Sequence, residues 1–437
     1  MRKQLLLLGT FAAISLNGFA QNNAHPNNAQ VWLQPSGEKS QAELNGYSAI
    51  KADANQWYDF TDEKANFYVV FRSQAQEKTD IVAYNFACHQ ASLHTAITDE
   101  RIPSQEMMEK KLETGAIFKH SLNIPSAYIN PKNSRSYFLT TENKDTEIFE
   151  LLYFPQEFTN ADHQRVQTYL SLKYGISLLE NNNYVNRNGE NIWNTNLNHN
   201  YNEHIFGLAR IDDFGLVQKN SVNSLQPVLN VSSHDNFADE EYLLFGDNAG
   251  SLTFVENNGE EVLDRQYLYQ NQGNNKNVTL SFAYDFIENF DADKIYALKV
   301  NHENVGFDTE NADVYLGRIS DNQLIFDQVE VDNFGLMTLT HLTNTTSTDQ
   351  MEWAVFDEIA LYPNPVKSGE KFQIDFGFNQ PTEVDVYVYQ VNGKLVSKSR
   401  LNAVTQQVFE QSVTTAGNYL VMVQAGGKLS TFKLLVK

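Results

Sequence analysis

Short apolar runs follow one another closely in the second half of this sequence, and they restrict its fold more than any other feature. Runs of about six to ten residues, separated mostly by Asn, Asp or Gly, occupy 203–209, 227–233, 241–247, 277–286, 294–300, 312–319, 322–331, 334–342 and 350–356. This length and spacing are typical of β-strands joined by tight turns. Parallel strands would need helical crossovers of about a dozen residues, which do not fit here. The pattern therefore predicts antiparallel β-sandwiches.

The region from residue 21 to 158 repeats this pattern less regularly. An Asn45-Gly46 turn signal and aromatic, β-branched runs at 66–73 and 79–86 predict further strands. Residues 99–114 are less regular, and we interpret them as a loop or a short helix. We expect a β-rich, jelly-roll-like domain in this region.

One segment, 159–176, has a helical pattern. Thr159 and Asp162 have the spacing of a capping box, apolar residues recur at steps of three and four, and Gly175 supplies a left-handed stop. We expect this helix to pack across the edge or face of a sheet and to connect two β-rich domains.

The overall composition limits the classes of function. At 437 residues the chain is long enough for about three domains. Its 54 acidic and 32 basic residues give a formal charge of −22, which argues against nucleic-acid binding. Cys88 is the single cysteine, so no intramolecular disulfide can form, and we interpret it as a buried apolar residue.

The first 20 residues have the three parts of a secretory signal peptide. Two basic residues precede an apolar stretch from Leu5 to Leu16, and small residues follow. That stretch of about 12 residues is shorter than the roughly 20 that a membrane-spanning helix needs. We predict cleavage between Ala20 and Gln21, and a mature chain without a transmembrane segment.

Familiar catalytic motifs do not occur in the sequence. It has no Gly-x-Ser-x-Gly elbow, no Gly-rich phosphate loop and no His-Glu-x-x-His pair. A glycosidase of the jelly-roll class needs two carboxylates across the scissile bond. Glu330 and Asp332 alternate on a strand in a different predicted domain, and we interpret them as a solvated face.

Candidate metal ligands are also weak. His89 with His94, and His199 with His204, are five residues apart, which does not place two ligands on one helix face. Loop acids that could bind calcium are Asp212, Asp213, Asp291 and Asp293, but turn-forming Asp side chains explain them equally well. We predict no cofactor, with calcium as the minority alternative.

The last part of the chain, residues 362–437, has a distinct series of motifs. Tyr362-Pro363-Asn364-Pro365 favours extended backbone and a domain boundary. Asn392-Gly393 predicts a two-residue hairpin turn, and Gly426-Gly427 predicts a second hairpin.

The order of LYPNP, NGK, GNY and KLLVK resembles the type A sorting domain of the type IX secretion system. The resemblance implies an Ig-like sandwich that the outer-membrane translocon recognises and a sortase-like protease removes, between Asp349 and Leu361 in our prediction. The candidate sorting residues are Tyr362, Pro363, Asn364, Pro365, Gly393, Gly417, Tyr419 and Lys437.

A second resemblance covers about 147–235. EIFELLYFPQEFTNADHQRVQTYLSLKYGI, NIWN and YNEHIFGLARIDDFGLVQKNS resemble an uncharacterised module that follows concanavalin-like (LamG-like) domains in surface proteins exported by type IX systems. It implies a surface or secreted protein with an adhesive use, and it implies no catalytic residue.

Together these features predict a mainly β, multidomain chain. The predicted parts are a signal peptide (1–20), a β-rich domain (21–158), a connecting helix (159–179), a second β-rich domain (180–357) and a sorting domain (358–437). The first functional hypothesis is a non-catalytic, exported protein that binds glycans or other cell-surface material. The alternative is a secreted hydrolase whose catalytic residues follow no recognisable motif.

Overall fold

The structure is a computed structural model of the 437-residue chain. It describes residues 29, 31–33, 43–50, 57–60, 64–74, 80–86, 89–94, 105–107, 114–123, 136–140, 145–178, 182–257, 260–292, 294–302, 312–342, 356–390, 395–425 and 428–437. The predicted signal peptide, with Ala20 and Gln21, lies outside these residues, as do Cys88 and Asp293.

Antiparallel sheets dominate these residues, as the sequence predicted. The first part of the chain contains β1 (Val31–Leu33), β2 (Glu43–Leu44), β3 (Tyr47–Ser48), β4 (Trp57–Phe60), β5 (Lys64–Ser73), β6 (Asp80–Phe86), β7 (His89–His94), β8 (Gln105–Met107), β9 (Ala116–Asn123), β10 (Ser136–Thr140) and β11 (Thr146–Phe154). They form a sheet in the order β1-β11-β5-β9-β8, a second sheet in the order β4-β10-β6-β7, and the hairpin β2-β3.

The interpretation of 99–114 as a loop or short helix is wrong at residues 105–107, which form a strand. Strand β8 lies within this segment and pairs with β9, so that Gln105 faces His120 and Met107 faces Phe118. Three residues are too few to show the alternation of apolar and polar residues that identifies a strand. Pairing with the neighbouring strand decides their conformation instead.

Helix α1 (Asn160–Tyr174) confirms the helix predicted at 159–176. Thr159 and Asp162 form both hydrogen bonds of the capping box, and Gly175 ends the helix in the left-handed region at φ 66°. Its side chains are buried on nearly every face, because the helix packs between two sheets rather than on one. One core cluster joins Tyr68 and Leu152 of the first sheet, Tyr169 of α1, and Ile205 and Leu244 of the next domain.

The middle part of the chain is a sandwich of two sheets. Its strands are β12 (Tyr184–Val185), β13 (Asn191–Trp193), β14 (Glu203–Ile211), β15 (Leu216–Gln218), β16 (Asn220–Val222), β17 (Leu229–Ser233), β18 (Tyr242–Asp247), β19 (Phe254–Asn257), β20 (Glu260–Leu263), β21 (Tyr267–Gln272), β22 (Lys276–Ala283), β23 (Ile295–Asn301), β24 (Asp313–Leu316), β25 (Arg318–Ser320), β26 (Gln323–Val331) and β27 (Phe334–Leu342). The larger sheet has the order β15-β14-β18-β21-β27-β20-β19, and β23 pairs with both β27 and β24. The smaller sheet has the order β16-β17-β22-β26-β25, and β12 pairs with β13 in a separate two-stranded sheet.

Most strands predicted between 203 and 342 are present, with two differences. The run at 277–286 ends as a strand at Ala283 and continues as the 3-10 helix Tyr284–Phe286, and the run at 312–319 is divided at Gly317. A second 3-10 helix is Asp212–Phe214. Of the predicted strand at 350–356, residues 350–355 lie outside the described residues.

The tail is a separate antiparallel sandwich. It contains β28 (Phe356–Tyr362), β29 (Lys371–Gln390), β30 (Leu395–Ser412), β31 (Gly417–Ala425) and β32 (Lys428–Val436). The first half of β29 pairs with β28 and the end of β30, whereas its second half pairs with β31 and the start of β30. The first tail strand therefore begins at Phe356, so residues 356–361 of the predicted protease-sensitive linker form a paired strand instead.

Candidate sorting site in the C-terminal domain

Both predicted hairpins of the tail are present. Tyr389 faces Leu395 across β29 and β30, and Ala425 faces Lys428 across β31 and β32. The turn residues themselves, including Gly393, lie outside the described residues. The strands that flank each turn are therefore paired as two hairpins.

The Pro-Asn-Pro segment is held against the last strand of the tail. Asn364 donates from Nδ2 to the Lys433 carbonyl at 2.6 Å and accepts at Oδ1 from the Leu435 amide at 2.9 Å. Neither flanking proline has an N–H to offer, so the Asn364 side chain supplies the pairing that the backbone cannot. The peptide bonds preceding both prolines are cis.

The residues after this segment continue along the same strand through their backbone. Val366 donates to Leu435 at 2.9 Å and accepts from Lys437 at 2.8 Å, and Ser368 donates to the Lys437 carbonyl at 2.8 Å. The side chain of Val366 enters the tail core. Strand β32 is thus covered on this side by the segment that opens the tail.

The Gly-Asn-Tyr motif lies on the other side of β32. Gly417 faces Val436 and Tyr419 faces Leu434 in the antiparallel pairing. The Tyr419 ring is buried in the tail core, and its hydroxyl donates to the Thr415 carbonyl at 2.8 Å. Three motifs that are far apart in sequence therefore meet around one strand, and we call this region the motif edge: 362–368, 417–419 and 433–437.

The motif edge presents both apolar and charged groups to solvent. Tyr362 is 42% exposed and Leu435 is 37% exposed, while Pro363, Pro365 and Lys437 are also exposed. Sequence reasoning identified most of this edge but missed Val366 and Leu435. The alternation of apolar residues in 432–436 was the signal for Leu435, since it predicts one buried and one outward face.

The loop acids considered as calcium ligands make other contacts. Asp213 accepts from Arg165 at 2.5 Å and lies 3.0 Å from Arg187, and Asp212 is paired with Arg210. At Asp291 it is the backbone amide, not the carboxylate, that donates to the Tyr296 hydroxyl at 2.9 Å. In the ranges that the structure describes, no group of three or more His, Cys, Asp or Glu residues is arranged to hold a metal ion.

The histidine pairs do not converge in the way that a metal site would need. His89 and His94 are the two ends of strand β7. His204 lies 2.9 Å from Asp247 through Nδ1, whereas His199 is exposed in a turn. Each member of the second pair therefore has a different environment.

Glu330 and Asp332 are also engaged elsewhere. Asp332 accepts from the Tyr269 hydroxyl at 2.8 Å and pairs with His302 at 3.0 Å. Glu330 lies 3.9 Å from Lys398 of the tail. The side chains of Glu330 and Asp332 are 50% and 36% exposed, in keeping with a solvated face, and each also has an ionic partner.

Two family models match this chain, and neither is described by an enzymatic activity. Residues 162–335 match a domain of unknown function (DUF8202), and residues 360–437 match the secretion system C-terminal sorting domain. The first match begins inside helix α1 and spans most of the middle sandwich. A comparison with curated protein sequences finds no match.

Comparison with solved structures gives only remote similarity. The CARDB domain of the PF1109 protein from Pyrococcus furiosus is 18% identical over 21% of this chain and 100% of that domain, with a TM-score of 0.14. The β-glucuronidase of Parabacteroides merdae is 11% identical over 46% of this chain, with a TM-score of 0.16. Dimeric latent PorU from Porphyromonas gingivalis is 11% identical over 85% of this chain, with a TM-score of 0.15.

These structural scores are too low to support an argument about function. The chain also spans only 28% of the glucuronidase and 29% of PorU. The described part of the chain contains no helix with the length and apolarity needed to cross a bilayer. The family match of the tail, in contrast, is informative about function. Residues 360–437 match the secretion system C-terminal sorting domain, which indicates export by the type IX system to the cell surface or the extracellular space.

Proposed function

We propose that this chain is a non-catalytic cargo protein of the type IX system, made as a precursor with a signal peptide at 1–20 and a removable tail. In this proposal the outer-membrane translocon reads the motif edge, and a sortase-like protease cuts between Asp349 and Phe356. The observation that carries it is the convergence of Asn364, Tyr419 and Lys437 on strand β32 within the matched sorting domain.

Export can be tested in a type IX-competent host. Removal of 356–437 deletes the complete tail sandwich, and we expect the truncated chain to accumulate in the periplasm. The Asn364→Ala variant loses both hydrogen bonds to β32, and we expect it to reach the surface at a reduced level. Asn402→Ala, at an exposed residue of β30 outside the motif edge, is the matched control. Normal surface levels of the truncated chain would contradict the proposal.

The cargo, defined as residues 21–355, is proposed to bind glycans through the aromatic loop 284–290. Tyr284 stacks on Phe290 with ring centroids 4.4 Å apart and planes 2° apart, and Phe290 stacks on Tyr296 at 4.5 Å. Phe286 of the same loop is 46% exposed. Aromatic rings with a polar neighbour suit sugars, whose flat C–H faces are apolar and whose hydroxyls need partners. Asn322 lies beside these rings, because its Oδ1 accepts from the Tyr284 hydroxyl at 3.2 Å, and its side-chain N–H groups would be the donors to a sugar hydroxyl.

A glycan array with the purified mature protein tests this part of the proposal. We expect at least one class of glycan to bind, and we expect Phe286→Ala to weaken that binding about tenfold or more. Leu197→Ala removes an apolar side chain that is 77% exposed in a different turn, and it should leave binding unchanged. A polysaccharide-hydrolysis assay on the same samples separates this function from the hydrolase alternative, which predicts a released product.

A further inference from the structure

The second face of the tail sheet is buried, although a free-standing sandwich would expose it. In β29 the residues Val384, Val386 and Val388 point into the tail's own core, and the intervening Tyr387 and Tyr389 point away from it. Yet Tyr387 is 0% exposed and Tyr389 is 2% exposed. Something other than the tail core therefore covers this face.

The covering surface belongs to the cargo. Tyr387, Tyr389 and Met422 of the tail form one apolar cluster with Ala297, Val314 and Leu316 of β23 and β24, and we call this cluster the tail junction. The partly buried Ile295, Leu395 and Leu420 border it. Strand β24 pairs with β23 on one side only, so it lies at the border of the cargo sheet that meets the tail.

Two hydrogen bonds link the backbone of β24 and the residue before it to the tail. Gln424 donates from Nε2 to the Ala312 carbonyl at 2.5 Å, and the Leu316 amide donates to the Tyr389 hydroxyl at 3.4 Å. Both side chains belong to the outward face of the tail sheet. The contact therefore combines apolar burial with directional bonds.

The charges around the tail junction are complementary. The cargo contributes Asp313 and Glu330, whereas the tail contributes Lys398 and Arg400, which lie 3.9 Å from Glu330 and 4.0 Å from Asp313 respectively. The Lys398 ammonium also lies over two rings from opposite sides of the contact, 5.8 Å from Tyr315 and 5.4 Å from Tyr387. An apolar centre with a charged rim is the usual anatomy of a protein interface.

The motif edge is made by other residues and remains exposed while the tail junction is buried. The tail thus has two separate surfaces, one facing solvent and one facing the cargo. We propose that the cargo is a binding partner of its own sorting domain, and that the tail junction keeps the tail bound after the chain between the two is cut. Removal of the tail then requires dissociation of this contact as well as cleavage.

The test uses the full-length mature chain with a site for a sequence-specific protease inserted after Asp349. After complete cutting, size-exclusion chromatography reports whether cargo and tail stay together. We expect them to elute as one species, and we expect Met422→Glu, which places a charge in the apolar centre, to separate them. Leu435→Glu on the motif edge is the matched control and should leave the pair intact.

A charge-exchange series keeps the proposal testable if Met422→Glu does not fold. We expect Lys398→Glu to raise the Kd of the cut pair about tenfold, and the combination with Glu330→Lys to restore it. Unmodified fragments that elute separately, while circular dichroism shows both still folded, would overturn the proposal. Because the assay involves no secretion, its result is independent of the proposed export.

Discussion

The N-terminal sheet and the tail are attached to the middle sandwich by junctions of different chemistry. At the first junction, built around helix α1, a buried Glu150 accepts from Trp32 and Tyr169 through Oε1 and from Lys173 and Tyr174 through Oε2, all at 2.6–2.7 Å. At the tail junction the centre is apolar and the charges lie at the rim. Removal of one partner from the first arrangement leaves a charge buried and unpaired, which is strongly destabilising.

The protonation states around Glu150 support this contrast. Burial first, and the negative charge of Glu150 second, raise the pKa of Tyr47 to about 12 and the pKa values of Tyr169 and Tyr174 well above their ordinary value. The phenols therefore stay protonated at physiological pH and donate. We call this set the helix junction, and we expect it to unfold with the cargo as one unit.

At the tail junction two buried polar atoms, Tyr387 Oη and Gln424 Oε1, lack a hydrogen-bond partner among the described residues, as do Nε and Nη1 of Arg165 on helix α1. A buried polar atom without a partner has a desolvation cost of about 1–3 kcal/mol. This cost reduces the net stability of the contact. Such an imperfection is expected where two separately folded parts meet.

The largest expected effect comes from breaking the helix junction. Glu150→Ala leaves the Lys173 ammonium buried without its carboxylate, and we expect it to lower the free energy of unfolding by roughly 3–5 kcal/mol. Glu147→Ala on the same strand removes a partly exposed pair with Arg72 and should cost about 0–1 kcal/mol. Urea unfolding followed by circular dichroism measures both, and equal costs would contradict the contrast.

A second variant tests how closely α1 approaches the middle sandwich. Gly175 has φ 66°, and a Cβ there would lie 2.2 Å from the Val222 carbonyl oxygen. We expect Gly175→Ala to cost roughly 2–3 kcal/mol, because backbone strain is added to a clash with the main chain. Gly215→Ala is the matched control, since Gly215 has φ 60° but open space around it, and it should cost only about 1 kcal/mol. Thermal melts of the two variants side by side would show whether the clash matters.

Removing one hydroxyl tests the tail junction, the second half of the comparison. Tyr387→Phe eliminates a buried group that has no partner in the described residues, so we expect it to stabilise the protein by about 1 kcal/mol. Tyr419→Phe instead removes the donor to the Thr415 carbonyl and should destabilise by about 0.5–1.5 kcal/mol. Opposite shifts of the tail's unfolding transition are the expected result, and a loss of stability in both variants would count against an unsatisfied Tyr387.

The smallest expected effect concerns pH near the tail junction. Burial opposes the charged form of His302, but hydrogen bonds and charges of Asp313 and Asp332 outweigh it and raise the pKa of His302 above the ordinary 6.5. The raised pKa adds to the free energy of unfolding. This contribution is fully present below about pH 6.5, the ordinary pKa, and is lost as the pH rises through the pKa of the folded chain.

The His302→Gln variant isolates this contribution. We expect it to be less stable than the unmodified chain at pH 5.5, and the difference to shrink toward zero at alkaline pH. His199→Gln, in an exposed turn, should not change the pH dependence. Urea unfolding of the three proteins across this range measures the effect, and a difference that grows with pH would have the wrong sign.

Sequence patterns determined those features that depend on neighbours along the chain. The capping box of Thr159 and Asp162 and the left-handed stop at Gly175 involve contacts within a few residues, and the structure reproduces them. Alternating apolar residues and Asn, Asp or Gly turns likewise predicted most of the strands between 203 and 342. The ordered motifs of the tail were sufficient to recognise a sorting domain.

Only the tertiary structure decided which distant residues meet. Trp32 and Glu150 are 118 residues apart, and Leu316 and Tyr389 are 73 residues apart, so no local period relates them. The run VDVYVYQ does show that both faces of β29 are apolar, but it does not identify what covers the second face. Burial of α1 between two sheets, the satisfaction of Glu150 and the seating of the tail on β24 all arise from long-range packing, since each requires surfaces that exist only after the sheets have formed.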